Sequence, residues 1–514
     1  MDEGSEEPQQ FSPVSIRRKL FLDAGGVSSI NNFASSVQRS VNYLSTSFEH
    51  KPQSVLALRA SIDEDTEQIN GEPSYLQQYN TDNGLFPVFS GESTVSETTP
   101  SLRSVRHTNY RSVDEPPAIK IIATDDEVLV ISNKSTSAQT IFNSINVLIG
   151  LGILSMPFAL HLSGWILGVT CIMLSALSTN RTAILLGRIL EKYPFLKTYQ
   201  DIGIFCFGER IGFVILVIFT LDLLGAGISM ILLFADSFNA LDHELSKTSL
   251  KIAITSSLVI LNFLPLRLLS FLSLTGITCT SIVCLVLGIS GCIKKSSPGS
   301  LFAIMPTNAW PTSTVDFFFA LGLYMAPWGG HATFPEIYRD QLHPQKFDYC
   351  MKYSFSFSFA INLLTGALGF LMFGNLVDDE ITKSILMSDG YPRWISTLIV
   401  ILMGILPVSK LPLISRPIVT ILDTSLGETS IQKLLNRILL SGVFLVSSTV
   451  LTDFGKVMSL LGSLICFTVC LTLPALYYLV AFPDISTSQK LLWRSVVALG
   501  IFGAVVGTIA VVLK

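Results

Sequence analysis

The stretch that decides the fold runs from Asn146 to Pro157 and reads Asn-Val-Leu-Ile-Gly-Leu-Gly-Ile-Leu-Ser-Met-Pro. It lies inside an apolar run long enough to cross a membrane, yet it holds two glycines and a proline. Glycine weakens a helix and proline removes a backbone donor, so amide and carbonyl groups are freed within the span. In lipid, freed backbone groups are tolerated only where they line a cavity inside the protein. The stretch therefore predicts a helix that is broken beside a binding site.

A second stretch repeats this pattern five apolar runs later. It extends from Pro327 to Pro335 and reads Pro-Trp-Gly-Gly-His-Ala-Thr-Phe-Pro. Two interrupted helices at corresponding positions are typical of secondary transporters, which are built from inverted repeats around a site near the middle of the membrane. Glycine and proline are also common kink formers in membrane helices, but that alternative explains two matched breaks less well than one.

The composition of the whole chain favours a membrane protein. Of its 514 residues, 49% are hydrophobic and only 14% are charged, whereas soluble domains carry about 25% charged residues. From Gln139 onward, apolar runs of about 18 to 25 residues recur, the length that a membrane-spanning helix needs. We predict an all-α integral membrane protein with eleven transmembrane helices. The predicted spans are 139–160, 165–189, 211–236, 250–266, 268–293, 315–335, 351–375, 393–415, 435–452, 456–480 and 491–513, with Arg267 separating the fourth from the fifth.

Residues 1–138 differ sharply from the rest of the chain. They hold 11 Lys and Arg against 19 Asp and Glu, and they are rich in Ser, Gln, Glu and Pro. Such a segment cannot bury enough apolar surface to offset its ordering entropy. We predict a disordered acidic cytosolic tail over 1–138 and a transmembrane domain over 139–514. Short apolar stretches at 55–58 and 128–131 could dock locally or form strands. Neither part has a dense basic stripe with interleaved aromatics, which argues against nucleic acid as a partner.

Basic residues in the short loops predict the orientation in the membrane. With the tail in the cytosol, cytosolic loops hold twelve Lys and Arg and the opposite loops hold eight. The first residues, Met-Asp-Glu-Gly-Ser-Glu-Glu, have no apolar signal sequence. We therefore expect a cytosolic N-terminus and, after eleven crossings, a C-terminus on the far side.

The freed backbone groups at the two breaks suit a zwitterion. Amides at the N-terminal end of a half-helix carry partial positive charge and favour an anion such as an α-carboxylate. Freed carbonyls favour an ammonium group. Because an amino acid satisfies both ends at once, it is the ligand that the breaks favour.

Three ionisable residues lie inside predicted spans, where a buried charge is costly and marks a transport pathway or an ion pair. Lys410 lies between Pro407 and Pro412; burial disfavours its charged form, which makes it a candidate proton carrier. It could instead snorkel to an interface or pair statically with a carboxylate. Asp222 could hold a proton, bind the substrate ammonium or cap a neighbouring helix. His331, in the second break, is more often a hydrogen-bonded structural residue than a switch.

The eight cysteines, none of which lies in the tail, form no Cys-x-x-Cys pair. Cys466 and Cys470 are four residues apart on one helical face, which could suggest a metal pair, but two further ligands are missing. We interpret the cysteines as packing residues and expect no disulfide framework, metal site or cofactor. An enzyme is disfavoured because no His-Glu-x-x-His, Gly-x-Ser-x-Gly or clustered His/Asp motif occurs. A channel is disfavoured because no ring-forming charge motif occurs.

Six motifs carry a resemblance to a known family. They are Thr-Ser-Ala-Gln-Thr-Ile-Phe-Asn-Ser-Ile-Asn-Val-Leu-Ile-Gly at 136–150, Phe-Thr-Leu-Asp-Leu-Leu-Gly at 219–225, Ser-Ser-Pro-Gly-Ser at 296–300, Trp-Gly-Gly-His-Ala at 328–332, Gly-Phe-Leu-Met-Phe-Gly-Asn at 369–375 and Arg-Pro-Ile-Val at 416–419. Over residues 135–512 the chain resembles the amino acid/auxin permease family, and within it the fungal vacuolar neutral amino acid transporters of the AVT group. The resemblance implies a five-plus-five inverted repeat, as in bacterial sodium-coupled amino acid carriers, plus one extra helix. It also implies that protons drive neutral amino acids from the cytosol into the vacuole lumen by antiport, with the protein in the vacuolar membrane.

The resemblance also assigns roles to residues at the breaks. The stretch Gly150-Leu151-Gly152 is similar to the carboxylate cradle, and Asn146 to a polar position near the coupling ion. Sodium-coupled relatives carry a hydroxyl residue two places before a proline in the eighth span. Here that place is Lys410, so a tethered ammonium would fill the cation site and favour proton coupling. Further candidate substrate-binding residues, each of which could equally belong to the core, are Ile153, Leu154, Leu223, Tyr324, Met325, Trp328 and Gly329.

Two alternatives remain beside proton antiport. The neighbouring Ser409 could supply a sodium-binding hydroxyl, which would make the protein a sodium-coupled carrier. A receptor that binds an amino acid and signals through the acidic tail is the other alternative. On the leading hypothesis the partners are neutral amino acids, protons and the lipid bilayer.

Overall fold

The computed structural model describes the backbone of residues 120–124, 127–131, 134–264, 266–427 and 429–514, and the side chains of these residues except 120–131 and 266–274. Most of the predicted tail, including the stretch at 55–58, lies outside the described residues. Residues 134–514 belong to one compact unit, and the strands that precede them belong to another. Strands β1 (Lys120–Thr124) and β2 (Glu127–Ile131) pair antiparallel, so the stretch at 128–131 is a strand.

The described part of 134–514 is helical almost throughout. Its helices are α1 (Ser137–Leu148), α2 (Met156–Lys192), α3 (Tyr199–Phe207), α4 (Glu209–Leu241), α5 (Lys247–Leu261), α6 (Leu266–Ile293), α7 (Thr314–Met325), α8 (Phe334–Asp340), α9 (Phe347–Phe373), α10 (Ile381–Leu386), α11 (Arg393–Leu426), α12 (Ser430–Val450), α13 (Phe454–Leu460), α14 (Leu473–Ala481) and α15 (Thr487–Leu513). A π-helical stretch, the π segment (Leu461–Thr472), joins α13 to α14. Every predicted span overlaps one or more of these helices. By length and apolar composition, 8 helical segments of the described chain could each cross a membrane. The described part of 134–514 is therefore an all-α membrane domain.

The first predicted span is broken, which confirms the prediction from its glycines. Helix α1 ends at Leu148, and Ile149 leaves helical geometry with a ψ of 83°. Gly150 is extended, with φ −112° and ψ −155°, and a 3₁₀ turn over Leu151–Ser155 then leads into α2. The chain therefore exposes its backbone groups at the end of α1.

The sixth predicted span is broken as well. Helix α7 ends at Met325 and a short 3₁₀ turn covers Ala326–Trp328. Gly329 then leaves helical geometry with a ψ of 37°, and α8 begins only at Phe334. Both segments that the sequence predicts to be interrupted are therefore interrupted.

The first two predicted spans meet at a sharp turn inside α2. Gly164 has a φ of +71°, and a Cβ at this position would lie 2.6 Å from the backbone of Ala309. Only glycine fits such a conformation at so close an approach. The amides of Trp165 and Ile166 donate to the carbonyls of Asn308 and Ala309, both at 3.1 Å. The loop before α7 therefore fixes the turn.

One predicted boundary is wrong and another helix is longer than predicted. The fourth and fifth spans separate between Leu261 and Leu266, not at Arg267. Helix α5 ends at this point because two side chains of α11 form hydrogen bonds with Asn262. Its Oδ1 accepts a hydrogen bond from Ser415 at 2.7 Å, and its carbonyl accepts one from Arg416 at 3.0 Å.

Helix α11 continues to Leu426, although we predict its end at residue 415. Pro407, Pro412 and Pro417 all lie inside it. A proline removes one backbone hydrogen bond, but neighbouring helices can satisfy the freed carbonyl in a membrane helix. In the packed bundle α11 contacts both α4 and α6, and α2 contacts α9.

Close backbone approach brings the π segment against α7. A Cβ added at Gly462 would lie 1.7 Å from the carbonyl oxygen of Gly322. The two helices can therefore cross at this distance only with glycine at position 462. This contact places the π segment beside the second break.

Candidate functional site

A cavity of about 320 Å³ lies between the two helix breaks. This volume is typical of sites for small molecules. Its wall combines α1, α4, α8, α11, the π segment and both breaks. The predicted helix breaks and the predicted ionisable residues thus meet around one space.

With Tyr324 and His331 left aside, eight of the thirteen predicted site residues line this cavity. They are Asn146, Gly150, Leu151, Gly152, Asp222, Leu223, Gly329 and Lys410. The other five lie outside its wall: Ile153, Leu154, Met325, Trp328 and Ser409.

Packing explains why two of these five residues point away. The Trp328 ring stacks on Phe355 at a centroid distance of 5.6 Å, and its indole N–H donates to Ser175 Oγ at 3.1 Å. Ser409 donates its hydroxyl to the carbonyl of Leu406 at 2.8 Å. It lines a separate apolar groove between α4 and α11. The Trp328 side chain therefore joins the second break to α2 and α9, whereas the Ser409 hydroxyl is bonded within its own helix.

Buried core positions account for the remaining residues. Ile153, Leu154 and Met325 are each no more than 2% exposed and pack among apolar neighbours. Tyr324, another candidate, is also buried, and its hydroxyl lies 2.7 Å from Ser163 Oγ. These residues pack in the core next to the breaks and do not face the cavity.

The first break presents its backbone to the cavity. No atom lies within 4 Å of a Cβ built on Gly150, so the chain there borders open space. A Cβ on Gly152 would instead lie 2.9 Å from Cγ and from the backbone nitrogen of Pro327. The two breaks therefore contact each other at Gly152, and the first break borders the open cavity at Gly150.

Lys410 extends from α11 to the end of α1. Its ammonium donates to the carbonyl oxygen of Ile149 at 3.4 Å, and the residue is only 9% exposed. Gly276 of α6 makes room for this side chain, since a Cβ there would lie 2.9 Å from Lys410 Cε. A tethered cation thus occupies a position beside the carbonyl at the first break.

Asp222 lies in the cavity wall on α4, where it is half-buried. In the part of the chain that the structure describes, neither Asp222 nor Lys410 takes part in a salt bridge. The cavity therefore contains one acidic and one basic side chain that are not joined to each other.

A comparison with known families identifies the chain. A family model described as transmembrane amino acid transporter protein matches residues 133–513. The chain belongs to this family. Amino acid transporter AVT1D of Arabidopsis thaliana is 26% identical over 399 residues, which cover 74% of this chain and 70% of that protein. Amino acid transporter AVT1J of the same plant is 26% identical over 392 residues, covering 71% of this chain and 88% of that protein. The protein is thus a multi-pass membrane protein of an amino acid transporter family, and not an enzyme.

Solved structures show only a distant likeness. A manganese transporter of Eremococcus coleocola aligns with a TM-score of 0.43 at 10% identity, covering 73% of this chain and 96% of that one. A nucleobase-cation-symport-1 family transporter aligns with a TM-score of 0.41 at 13% identity, covering 74% and 91%.

In this transporter-family chain, His331 is a buried anchor of the second break. It is 0% exposed, and its Nε2 lies 3.0 Å from both the Thr179 carbonyl and Thr182 Oγ1. Because the Thr179 carbonyl can only accept, Nε2 carries the proton. Thr182 in turn donates to the carbonyl of Cys470 at 2.6 Å. The second break is thereby tied to α2 and to the π segment.

The two ends of the transporter bundle are closed by different contacts. At the end where α1 begins, Ser135 exchanges backbone hydrogen bonds with Asp340 and Leu342, at 2.7 and 2.8 Å. At the other end, Asp379 accepts the amide of Gly455 at 3.0 Å and pairs with Lys383 at 3.5 Å.

The cavity wall extends from the breaks toward the end where α1 begins. Asn143 on α1 and Ile337 on α8 belong to it. Both positions lie between a break and the Ser135 contacts. On the opposite side, α10 packs against the 3₁₀ turn Leu151–Ser155 and covers the first break.

Several cavity residues are absent from the sequence-based set. They include Asn143, Phe219, Thr333, Met458, Leu461 and Cys466. Asn143 had a usable signal, because it lies three residues before Asn146 and so on the same helical face. Met458 and Leu461 gave none, since apolar residues of a membrane helix look alike whichever way they point. The spacing of Cys466 from Cys470 does not tell which way its side chain points.

The site offers no preformed metal centre within the described residues. No group of three or more His, Cys, Asp and Glu side chains there is arranged to hold a metal ion. All eight cysteines are free.

Proposed function

We propose that this chain is a secondary active transporter that moves neutral amino acids from the cytosol into the vacuole lumen in exchange for protons. In this proposal eleven helices cross the vacuolar membrane, the first ten form two inverted repeats of five, and the N-terminus is cytosolic and the C-terminus lumenal. Residues 139–514 form the transport domain, although the helix that opens it begins two residues earlier, at Ser137, and a paired hairpin lies within the predicted tail. Family membership supports the amino acid substrate, and two matched breaks around one cavity support the repeat.

The substrate is held by its α-carboxylate and α-ammonium groups, which bind at different places in the cavity. Its carboxylate binds the amides around Gly150, Leu151 and Gly152, where no side chain fills the space beside Gly150. Its ammonium group binds freed carbonyls at the second break or the carboxylate of Asp222. The opposite charges of Asp222 and Lys410 balance each other, which favours a substrate without net charge.

The observation that carries the proposal is the contact between the Lys410 ammonium and the Ile149 carbonyl. A carbonyl at a helix break is a typical ligand for a sodium ion in transporters of this architecture. Here a tethered ammonium lies next to it, at 3.4 Å. A proton on Lys410 can thus do what a bound cation does elsewhere. Ser409, which would serve the sodium alternative, is directed toward Leu406 instead.

Protonation then couples to the direction of transport. When the site opens to the acidic lumen, Lys410 or Asp222 takes up a proton. When it opens to the cytosol, the proton leaves and the cradle takes up substrate. Coupling requires that the two conformations differ in their affinity for the proton and for the amino acid. Asn146 lies in the cavity wall on α1, and in this proposal it is the polar position near the coupling ion.

The test is transport by purified full-length protein in liposomes with independently set pH and sodium gradients. An acidic interior should drive uptake of a neutral amino acid, and sodium should have no effect. Lys410→Ala should abolish gradient-driven uptake, because the proton carrier is gone. Amino acid exchange without a gradient should persist in this variant, since the cradle is intact.

Lys251→Ala is the matched control. Lys251 is also a buried lysine, and its ammonium donates to the backbone carbonyl of Ser448 at 2.6 Å. It lies outside the cavity wall. Gradient-driven uptake should survive its replacement. Sodium-dependent uptake that ignores collapse of the pH gradient would refute proton coupling, and normal uptake by Lys410→Ala would remove this lysine from the mechanism.

A further inference from the structure

Two cysteines of the π segment lie one helical turn apart beside the second break. Cys466 and Cys470 are both buried, at 3% and 0% exposure, and both are free thiols. Both sulfur atoms adjoin the second break, at its neighbouring residues Trp328 and Gly329. Residues four apart lie on the same face of a helix. The two thiols therefore share one face of the π segment.

Cys466 places its sulfur at the cavity. It belongs to the cavity wall, and its Sγ lies 3.1 Å from where a Cβ on Gly329 would be. Any group added to this sulfur would therefore press against the second break. A ligand that enters the cavity can reach this thiol first.

Cys470 lies behind Cys466 and is engaged with the backbone of the break. Its thiol donates to the carbonyl oxygen of Trp328 at 3.3 Å. The carbonyl of Cys470 accepts a hydrogen bond from Thr182 at 2.6 Å, which fixes this part of the π segment. The second sulfur is thus held in place next to the first.

We propose that Cys466 and Cys470 form a bidentate site for a thiophilic ligand of the trivalent arsenical class. The site is open to the cavity, and a ligand bound there keeps other ligands out of the cavity. Soft thiolate ligands select soft centres. An organoarsenous oxide needs two protein thiols, because its carbon substituent supplies the third bond. A structural zinc ion needs four ligands, and the described residues provide no group of even three.

The reaction is a condensation without a change of oxidation state. The two S–H bonds and the arsenic–oxygen bond break, and two arsenic–sulfur bonds form. The two protons leave with the oxide oxygen as one water molecule, and arsenic remains trivalent. Bridging withdraws the Cys470 thiol from the Trp328 carbonyl and places the organic substituent against Gly329. The adduct therefore fills the cavity and fixes the second break.

The experiment measures phenylarsine oxide binding to purified full-length protein by intact mass spectrometry. The wild-type chain should gain one phenylarsenic group, with loss of one water, at the lowest reagent concentrations. Cys466→Ser and Cys470→Ser should each need about a hundredfold more reagent, because chelation by the second thiol is lost. Gel filtration checks that each variant is folded, and Cys466→Ala serves if the serine variant aggregates.

Cys284→Ser is the matched control. Cys284 also lies in a membrane helix, α6, but outside the cavity wall. Its replacement should leave the high-affinity adduct unchanged. A dithiol such as 2,3-dimercaptopropanol should remove the adduct, whereas the same concentration of a monothiol should not. Equal binding by the wild type, Cys466→Ser and Cys470→Ser would overturn the proposal. This readout measures arsenic on the protein, so it is independent of whether the chain transports neutral amino acids.

Discussion

The two helix breaks have similar compositions but opposite surroundings. At the first break Gly150 borders open space, and the Lys410 ammonium reaches the carbonyl at the end of α1. At the second break His331 and Trp328 are fully buried and hydrogen-bonded to residues of α2. Glycine and proline thus interrupt both helices, but the first break borders open space whereas side chains of the second break are anchored in α2. The second break is a scaffold against which the first is held.

The largest expected effect lies where the two breaks touch. In Gly152→Ala the new Cβ would lie 2.9 Å from Cγ and the backbone nitrogen of Pro327. Overpacking of this kind costs about 1–3 kcal/mol. We expect a lower thermal unfolding midpoint in detergent and no transport. Gly150→Ala should unfold like the wild type, because no atom lies within 4 Å of its Cβ and its φ is negative. Equal destabilisation by both substitutions would contradict this difference between the glycines.

The second prediction concerns the lysine that reaches the first break. In Gly276→Ala a Cβ would lie 2.9 Å from Lys410 Cε, so this flexible side chain should move away from Ile149. We expect gradient-driven uptake to fall by on the order of tenfold to a hundredfold, since small misplacements of a functional group have effects of this size. Stability should change little. Gly288→Ala on the same helix meets its nearest atom at 3.7 Å and is the control. Undiminished uptake by Gly276→Ala would show that the position of the ammonium is unimportant.

The third prediction tests whether the second break is a scaffold. Thr182→Val removes the donor to the Cys470 carbonyl and a contact of His331. The loss of one buried hydrogen bond should lower the free energy of unfolding by about 1 kcal/mol. The pH dependence of transport should keep its shape. Thr170→Val is the control, because Thr170 is exposed and bonds only within α2. A shifted pH profile in Thr182→Val would instead give the second break a part in proton coupling.

The smallest effect is expected at α10, which covers the first break from the far end. Glu380, just before α10, is buried, and burial raises its pKa well above the usual range; Asp379 and Asp236 raise it further, against Thr382 and Lys383. Because the pKa of the Glu380 carboxyl is raised in the folded protein, the folded protein binds more protons than the unfolded chain. The contribution of Glu380 to the free energy of unfolding is therefore complete below about pH 4.3, the pKa of a glutamate in the unfolded chain. It is lost as the pH rises through the pKa of Glu380 in the folded protein.

Glu380→Gln should remove this dependence. The amide mimics the protonated acid, so the variant should gain stability relative to the wild type as the pH rises above the unfolded pKa. Thermal unfolding of both proteins across a pH series measures the effect. Parallel curves for the two proteins would show that Glu380 is ionised in this conformation.

Much of the fold could be predicted because its signals are local. Hydropathy places the helices, and the glycines and prolines around residues 150 and 329 place both breaks, since backbone propensity depends on few neighbours. Lys410 and Asp222 could be selected because a charge within an apolar run is conspicuous whatever surrounds it. Helix ends were harder: α5 stops where Ser415 and Arg416 of a distant helix hold Asn262.

The sequence by itself therefore determined that this chain is a bundle of membrane helices with two interruptions and isolated charges inside. Only the tertiary structure decided which neighbours share the cavity: Lys410 but not Ser409, and Gly329 but not Trp328. It also brought Cys466 into the wall through the π segment. The physical reason is that one residue along a helix is a turn of about 100°. Which of two adjacent side chains meets the cavity is thus set by how the helix is rotated, and packing against distant helices fixes that rotation.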